Sequence, residues 1–167
     1  MAGPEGPLML DRRHLLKYAA ALPLTQLVGV NALSAADGTA PMRFIVDTRL
    51  PDAAHLIEQA RRGGHPVLDP EGEIIRLMLR PSDPLTAHVG SLLGLTGYSD
   101  FILAQDALRA MARPMRYAAR IDGTGRHMLF DREGRNGKSR TDTAIATLFD
   151  PAALIRPSHA TSFVWLT

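Results

Sequence analysis

The sequence predicts a single α/β domain whose mostly parallel sheet is built from βαβ units and finished by a C-terminal antiparallel hairpin and edge strand. Three observations predict it. Phe44-Ile45-Val46 is a continuous apolar run, as expected for a strand covered on both faces. Ala53, Ala54, Leu56, Ile57 and Ala60 recur at helical spacing, and Gly63-Gly64 closes that segment. His65-Pro66-Val67-Leu68-Asp69 is then a second short strand. A strand, a helix and a strand in that order join as parallel neighbours.

Taken in order, Met42 to Asp47 is the first strand. Pro51 suits the first turn of the helix that follows, and Glu58, Arg61 and Arg62 take its polar side. Ile75 to Arg80 alternates apolar and charged residues and favours a strand ending at Pro81, with one helical turn over Glu73 to Ile75 as the rival. Pro81-Ser82-Asp83-Pro84 is a break. Leu85 to Leu95 is apolar with small residues and predicts a short helix, followed by a turn over Gly94 to Tyr98. Ser99 or Thr96 caps the next helix, whose apolar residues run from Phe101 to Met111. Tyr117, Ala119 and Ile121 alternate as in a strand, and Gly123-Thr124-Gly125 turns it into Arg126 to Phe130 as a hairpin. Asp131 to Asp142 is a polar surface loop. Thr143 to Phe149 and Pro151 to Ile155 are short helices, and Thr161 to Leu166 is the last strand.

The first 36 residues have a different character. Asp11-Arg12-Arg13-His14-Leu15-Leu16-Lys17 precedes an uncharged stretch from Tyr18 to Ala36. This order resembles a twin-arginine (Tat) export signal, with the pattern Ser/Thr-Arg-Arg-x-Phe-Leu-Lys. Arg12, Arg13, Leu16 and Lys17 match, Leu15 stands where the family has Phe, and Asp11 takes the Ser/Thr position. Pro23, Thr25, Gln26, Gly29 and Asn31 dilute the apolar stretch, which suits an export leader better than a membrane span. Ser34-Ala35-Ala36 fits a small-x-small cleavage site near Ala36, and Met1 and Met9 are alternative starts. The resemblance implies a signal peptide over 1–36, one domain over 37–167, a periplasmic location, and contact with the Tat translocase during export. Substrates of that pathway fold before export to load a cofactor, because they fold fast, or to travel with a partner.

Composition bounds the rest. Residues 37–167 suffice for one cored domain, carry a formal charge of +1, and have dispersed basic residues with few aromatics, which argues against nucleic acid. The absence of cysteine removes disulfides and thiolate chemistry. After the leader no run is long enough for a stable membrane span. Gly137-Lys138-Ser139 echoes a P-loop, but Arg132 stands where its first glycine belongs. Gly97-Tyr98-Ser99 begins a nucleophile elbow, but Phe101 replaces the closing glycine. Gly123-Thr124-Gly125 lacks the third glycine of a dinucleotide fingerprint, with Met128 in its place. His55, His65, His88, His127 and His159 have no metal-site spacing. No cofactor and no metal are therefore expected.

One constellation remains. In open parallel sheets ligands bind beyond the carboxyl ends of the strands. Asp47, Thr48 and Arg49 leave the first strand there, Asp69 leaves the second, and Thr96, Ser99 and Asp100 surround a helix start, where free N–H groups favour an anion. The competing use of these residues is structural: Asp47, Asp52 and Ser99 as helix caps, and Arg49 in an ion pair. The pattern Phe44-Ile45-Val46-Asp47-x-Arg49, with its Ala-rich helix and Gly63-Gly64, is similar to small exported proteobacterial proteins of unassigned function over residues 42 to 120. The expected role is a periplasmic binding protein for a small anionic ligand, or an accessory to a larger exported enzyme. The alternatives are a small hydrolase-like enzyme using Asp47, Asp69 or Ser99, and an interaction protein contacting its partner through the basic 132–140 loop.

Overall fold

The computed structural model describes residues 42–80, 85, 87–134, 140–149 and 160–167. The leader, the 81–84 break, the Gly137-Lys138-Ser139 stretch and the 151–155 helix fall outside the described residues.

Phe44-Ile45-Val46 lies in strand β1 (Arg43–Val46), helix α1 spans Ala53–Arg62, and β2 is Val67–Leu68. They are followed by α2 (Ile75–Met78), β3 (Leu92–Thr96), α3 (Tyr98–Ala110), β4 (Tyr117–Asp122), β5 (Gly125–Asp131), α4 (Arg140–Leu148) and β6 (Ser162–Leu166). The strands form one sheet in the order β2-β1-β3-β6-β4-β5. The period of two along each strand sorts the core into two layers. Phe44, Val46, Leu93, Leu95, Tyr117, Ala119, Val164 and Leu166 face α1 and α4. Ile45, Leu92, Ala118, Phe163 and Trp165 face α2 and α3. The result is an α/β domain with helices on both faces of one mixed sheet.

The sheet is not mostly parallel. β1 pairs in parallel with β2 and with β3, but β3–β6, β6–β4 and β4–β5 are antiparallel. The last strand is not at an edge either, because β6 lies between β3 and β4. Its composition explains the position: Ser162 to Leu166 is buried at every residue, and only an interior strand has both faces and both edges covered. The hairpin of β4 and β5 forms as the turn sequence predicts, and β5 is the edge.

Two further expectations are corrected. Ile75 to Arg80 is not a strand: Ile74 and Leu77 are buried at helical spacing, Ile75 is 41% exposed and Leu79 78% exposed. Leu92 to Thr96, expected as the end of a helix and a turn, is a fully buried strand. A short apolar run reads alike for either element, and here a cross-strand contact decides. Gly94 pairs with Trp165, and a Cβ on Gly94 would sit 1.9 Å from the indole. The ring therefore lies on the glycine backbone, and its Nε1 donates to Thr96 Oγ1 at 3.2 Å.

Candidate functional site

The strand order contains a topological switch point. β2 lies on one side of β1 and β3 on the other, while α1 and α3 pack on opposite faces. Connections diverge at such a point and leave a crevice beyond the carboxyl ends of the strands. Residues 47–49 leave β1 there, residues 69–73 follow β2, and residues 97–100 follow β3.

Asp47 anchors this end. It is 2% exposed, and its carboxylate accepts from Arg49 Nε at 3.0 Å, Arg49 Nη2 at 3.0 Å and the Arg49 backbone N–H at 3.1 Å. A bidentate fork of this kind fixes the guanidinium plane as well as its position. The Arg49 side chain is nevertheless 64% exposed. It rests on Gly72, where a Cβ would lie 1.3 Å from Nη2. Gly72 has φ +75° and Glu71 φ +53°, so the Pro70-Glu71-Gly72-Glu73 turn uses two left-handed residues to bring its backbone under the arginine.

Asp69 organises the same turn. Its carboxylate accepts from Thr48 Oγ1 at 2.6 Å and from the Glu71 N–H at 2.7 Å. Burial alone would raise its pKa, but these bonds outweigh burial and hold it below the usual carboxylate range. Asp100 behaves in the opposite way. It is 5% exposed; Oδ1 accepts from the Ile74 N–H at 3.1 Å, while Oδ2 is buried without a partner among the described residues. Burial raises its pKa, and the nearby Asp47 carboxylate adds to the rise against the Ile74 bond.

The predicted residues thus divide. Asp47, Arg49, Asp69 and Asp100 come together: the Arg49 charge is within electrostatic reach of all three carboxylates. Thr96 is fully buried, with its hydroxyl taken up by Trp165, and does not line the crevice. Ser99 is exposed inside the first turn of α3 rather than capping it; the cap is Gly97, in extended conformation with no side-chain bond. Asp52 stands at the cap of α1 without a side-chain capping bond, and Ser162 Oγ donates to its Oδ2 at 3.4 Å. The pairing of Arg49 with a carboxylate is as expected. Thr48 joins the cluster through Asp69, as its place after the first strand suggests. Gly72 and the Ile74 amide were missed as site components, although Pro-Glu-Gly after Asp69 is a turn signal that points to the loop.

Among the described residues no three His, Asp or Glu side chains are placed to hold a metal ion. No helix among them is long and apolar enough to cross a membrane. Chemically the crevice offers a fixed cation with outward N–H groups, a buried carboxyl with one unsatisfied oxygen, and a fixed turn. No family model matches the chain, and no curated protein or solved structure matches it.

Proposed function

We propose that the chain is a Tat-exported periplasmic binding or accessory protein, cleaved near Ala36, whose 37–167 domain contacts its ligand at the crevice between β1 and β3. The leader pattern at Arg12, Arg13, Leu15, Leu16 and Lys17 supports the address. Arg49 is the observation that carries the binding role. A buried carboxylate holds its guanidinium by two side-chain bonds, a left-handed glycine makes room for it, and its outer edge faces solvent at the switch point. Fixing an arginine in this way removes its rotamer freedom before a ligand arrives, which lowers the entropic cost of binding. A ligand suited to the site has a carboxylate or another acceptor for Arg49. Asp47, Asp69 and Asp100 around the cation disfavour a multiply charged anion.

Exposed apolar side chains support the accessory role. Tyr98 is 64% exposed, Leu103 46%, Met128 51% and Leu129 48%, and they offer docking area for a larger periplasmic partner. The enzyme alternative keeps Asp47, Asp69 and Ser99 as its candidates, and the upward shift that burial gives the neighbouring Asp100 is in the direction a general acid needs.

Export and binding are tested separately. Replacing Arg12→Lys and Arg13→Lys together should leave the protein in the cytoplasm; export of that variant would end the Tat reading. Cross-linking in the periplasm followed by mass spectrometry should capture one recurring partner if the protein is an accessory. A turnover whose pH profile shifts in Asp100→Asn would instead favour the enzyme.

A further inference from the structure

The opposite end of the sheet carries a cleft of about 300 Å³, lined by Val89, Gly90, Ser91, Arg113, Pro114, Arg116 and Thr167. It lies at the amino ends of β3 and β4 and the carboxyl end of β6, away from the Asp47 crevice. Its volume is at the lower edge of small-molecule sites, about 300–1,000 Å³.

Arg113 is delivered there by the end of α3. The Arg113 N–H bonds Leu108 O at 2.9 Å and the Ala112 N–H bonds Arg109 O at 3.1 Å, which closes the helix in a Schellman motif. The left-handed position of that motif is held by Ala112 at φ +56°, where glycine is usual. The Arg113 guanidinium then donates to the carbonyls of Leu85, His88 and Gly90. These acceptors are neutral, so they fix the group without cancelling its charge. Of five guanidinium N–H donors, Nε and one on Nη2 are left without a partner among the described residues. Arg116, at 17% exposure, is ion-paired with Glu133 Oε1 at 2.9 Å, which offsets its charge, and donates to Ser91 Oγ at 3.4 Å. It brings a second guanidinium plane and a hydroxyl to the cleft, while Arg113 brings the uncompensated charge. The Thr167 hydroxyl, which accepts from the Leu92 N–H at 3.0 Å, is held on the same rim.

We infer that this cleft binds a small oxyanion, the carboxylate or phosphate group of a small molecule, through Arg113 and Arg116. Fixed guanidinium groups recognise both groups by charge-assisted hydrogen bonds. Val89, 93% exposed, and Pro114 stand on the rim, so the cleft is open to solvent.

The test is an amide chemical-shift titration of the full chain with inorganic phosphate and, in a second arm, acetate, each against sodium chloride at equal ionic strength. The account expects saturable shifts at Gly90, Ser91 and Thr167 in at least one arm, and the tighter arm names the anion. Arg113→Gln and Arg116→Gln should each weaken binding about tenfold or more, the loss of one charge-assisted bond, while Arg62→Gln, on the exposed face of α1, leaves it unchanged. Shifts at Gly90, Ser91 and Thr167 that are absent or do not saturate in both arms, or that persist in a folded Arg116→Gln variant, would overturn the proposal; shifts near Arg49 report the other crevice. The unsubstituted protein decides the matter even if Arg113→Gln fails to fold.

Discussion

At the carboxyl ends of β1 and β3, Arg49 is held by a carboxylate; at the other end of the same sheet, Arg113 is held by three carbonyls. Both guanidinium groups are fixed, yet the electrostatic outcome differs. The Asp47 bonds offset the charge of Arg49 but leave outward N–H groups on its exposed edge, and Asp69 and Asp100 lie near the cation as well. The carbonyl bonds satisfy part of Arg113 and leave its charge in place. Hydrogen-bond satisfaction and charge neutralisation are therefore separate quantities, and a site is recognised by which of them remains incomplete. At the acidic end the incomplete groups are the outward N–H of Arg49 and the buried Asp100 Oδ2; at the arginine end it is the positive charge.

The largest expected effect strikes both ends alike. Trp165→Ala removes the indole that lies on Gly94 between them and should cost about 3–5 kcal/mol in denaturant unfolding. An end-specific loss, with one half of the sheet still protected from hydrogen exchange, would show that the two regions are not one cooperative unit. Asp47→Asn comes next, at about 1–3 kcal/mol, since it removes the charge that fixes Arg49. Its effect should stay at the acidic end and leave amide shifts at Gly90 and Ser91 unchanged. Ala112→Gly should stabilise the arginine end by about 1 kcal/mol, because glycine adopts the left-handed position without the Cβ penalty.

The smallest effect is the most informative in sign. Asp100 has a raised pKa in the folded state, so it binds its proton more tightly folded than unfolded. Wild-type stability should fall as pH rises from the ordinary carboxylate range through the folded value. Asp100→Asn should remove that slope and gain up to about 1 kcal/mol at neutral pH, with the difference vanishing in acid. Asp69 runs the other way: its lowered pKa contributes stability that is lost as pH falls, so Asp69→Asn should be destabilising at neutral pH. Equal signs for the two variants would undo the distinction between the satisfied and unsatisfied carboxylates.

The sequence shows the first half of the sheet well because its signals are local. The apolar run at Phe44 to Val46, the periodicity from Ala53 to Ala60 and the two glycines after Arg62 each specify their own element. β3 is not legible in that way: Leu92 and Leu93 suit a helix or a buried strand, and the arrival of Trp165 from 71 residues further along decides between them. The place of β6 between β3 and β4 is long-range pairing of the same kind, so no local pattern could reveal a mixed sheet. In the crevice, Asp47, Arg49 and Asp69 are legible because they follow strands, and Asp100 because it opens a helix. Thr96 and Ser99 share that segment, but one points into the Trp165 layer and the other to solvent. The arginine cleft was invisible in sequence, since Gly90, Arg113 and Thr167 belong to three distant segments.

In the binding role proposed above, the β1/β3 crevice holds the ligand through Arg49. Native mass spectrometry of the protein isolated from its native cells, with the unsubstituted chain and Arg49→Gln side by side, is the decisive measurement. An added small-molecule mass is expected on the unsubstituted protein and should be lost from Arg49→Gln while both remain folded. The same mass on both proteins, or no added mass on either, would contradict it.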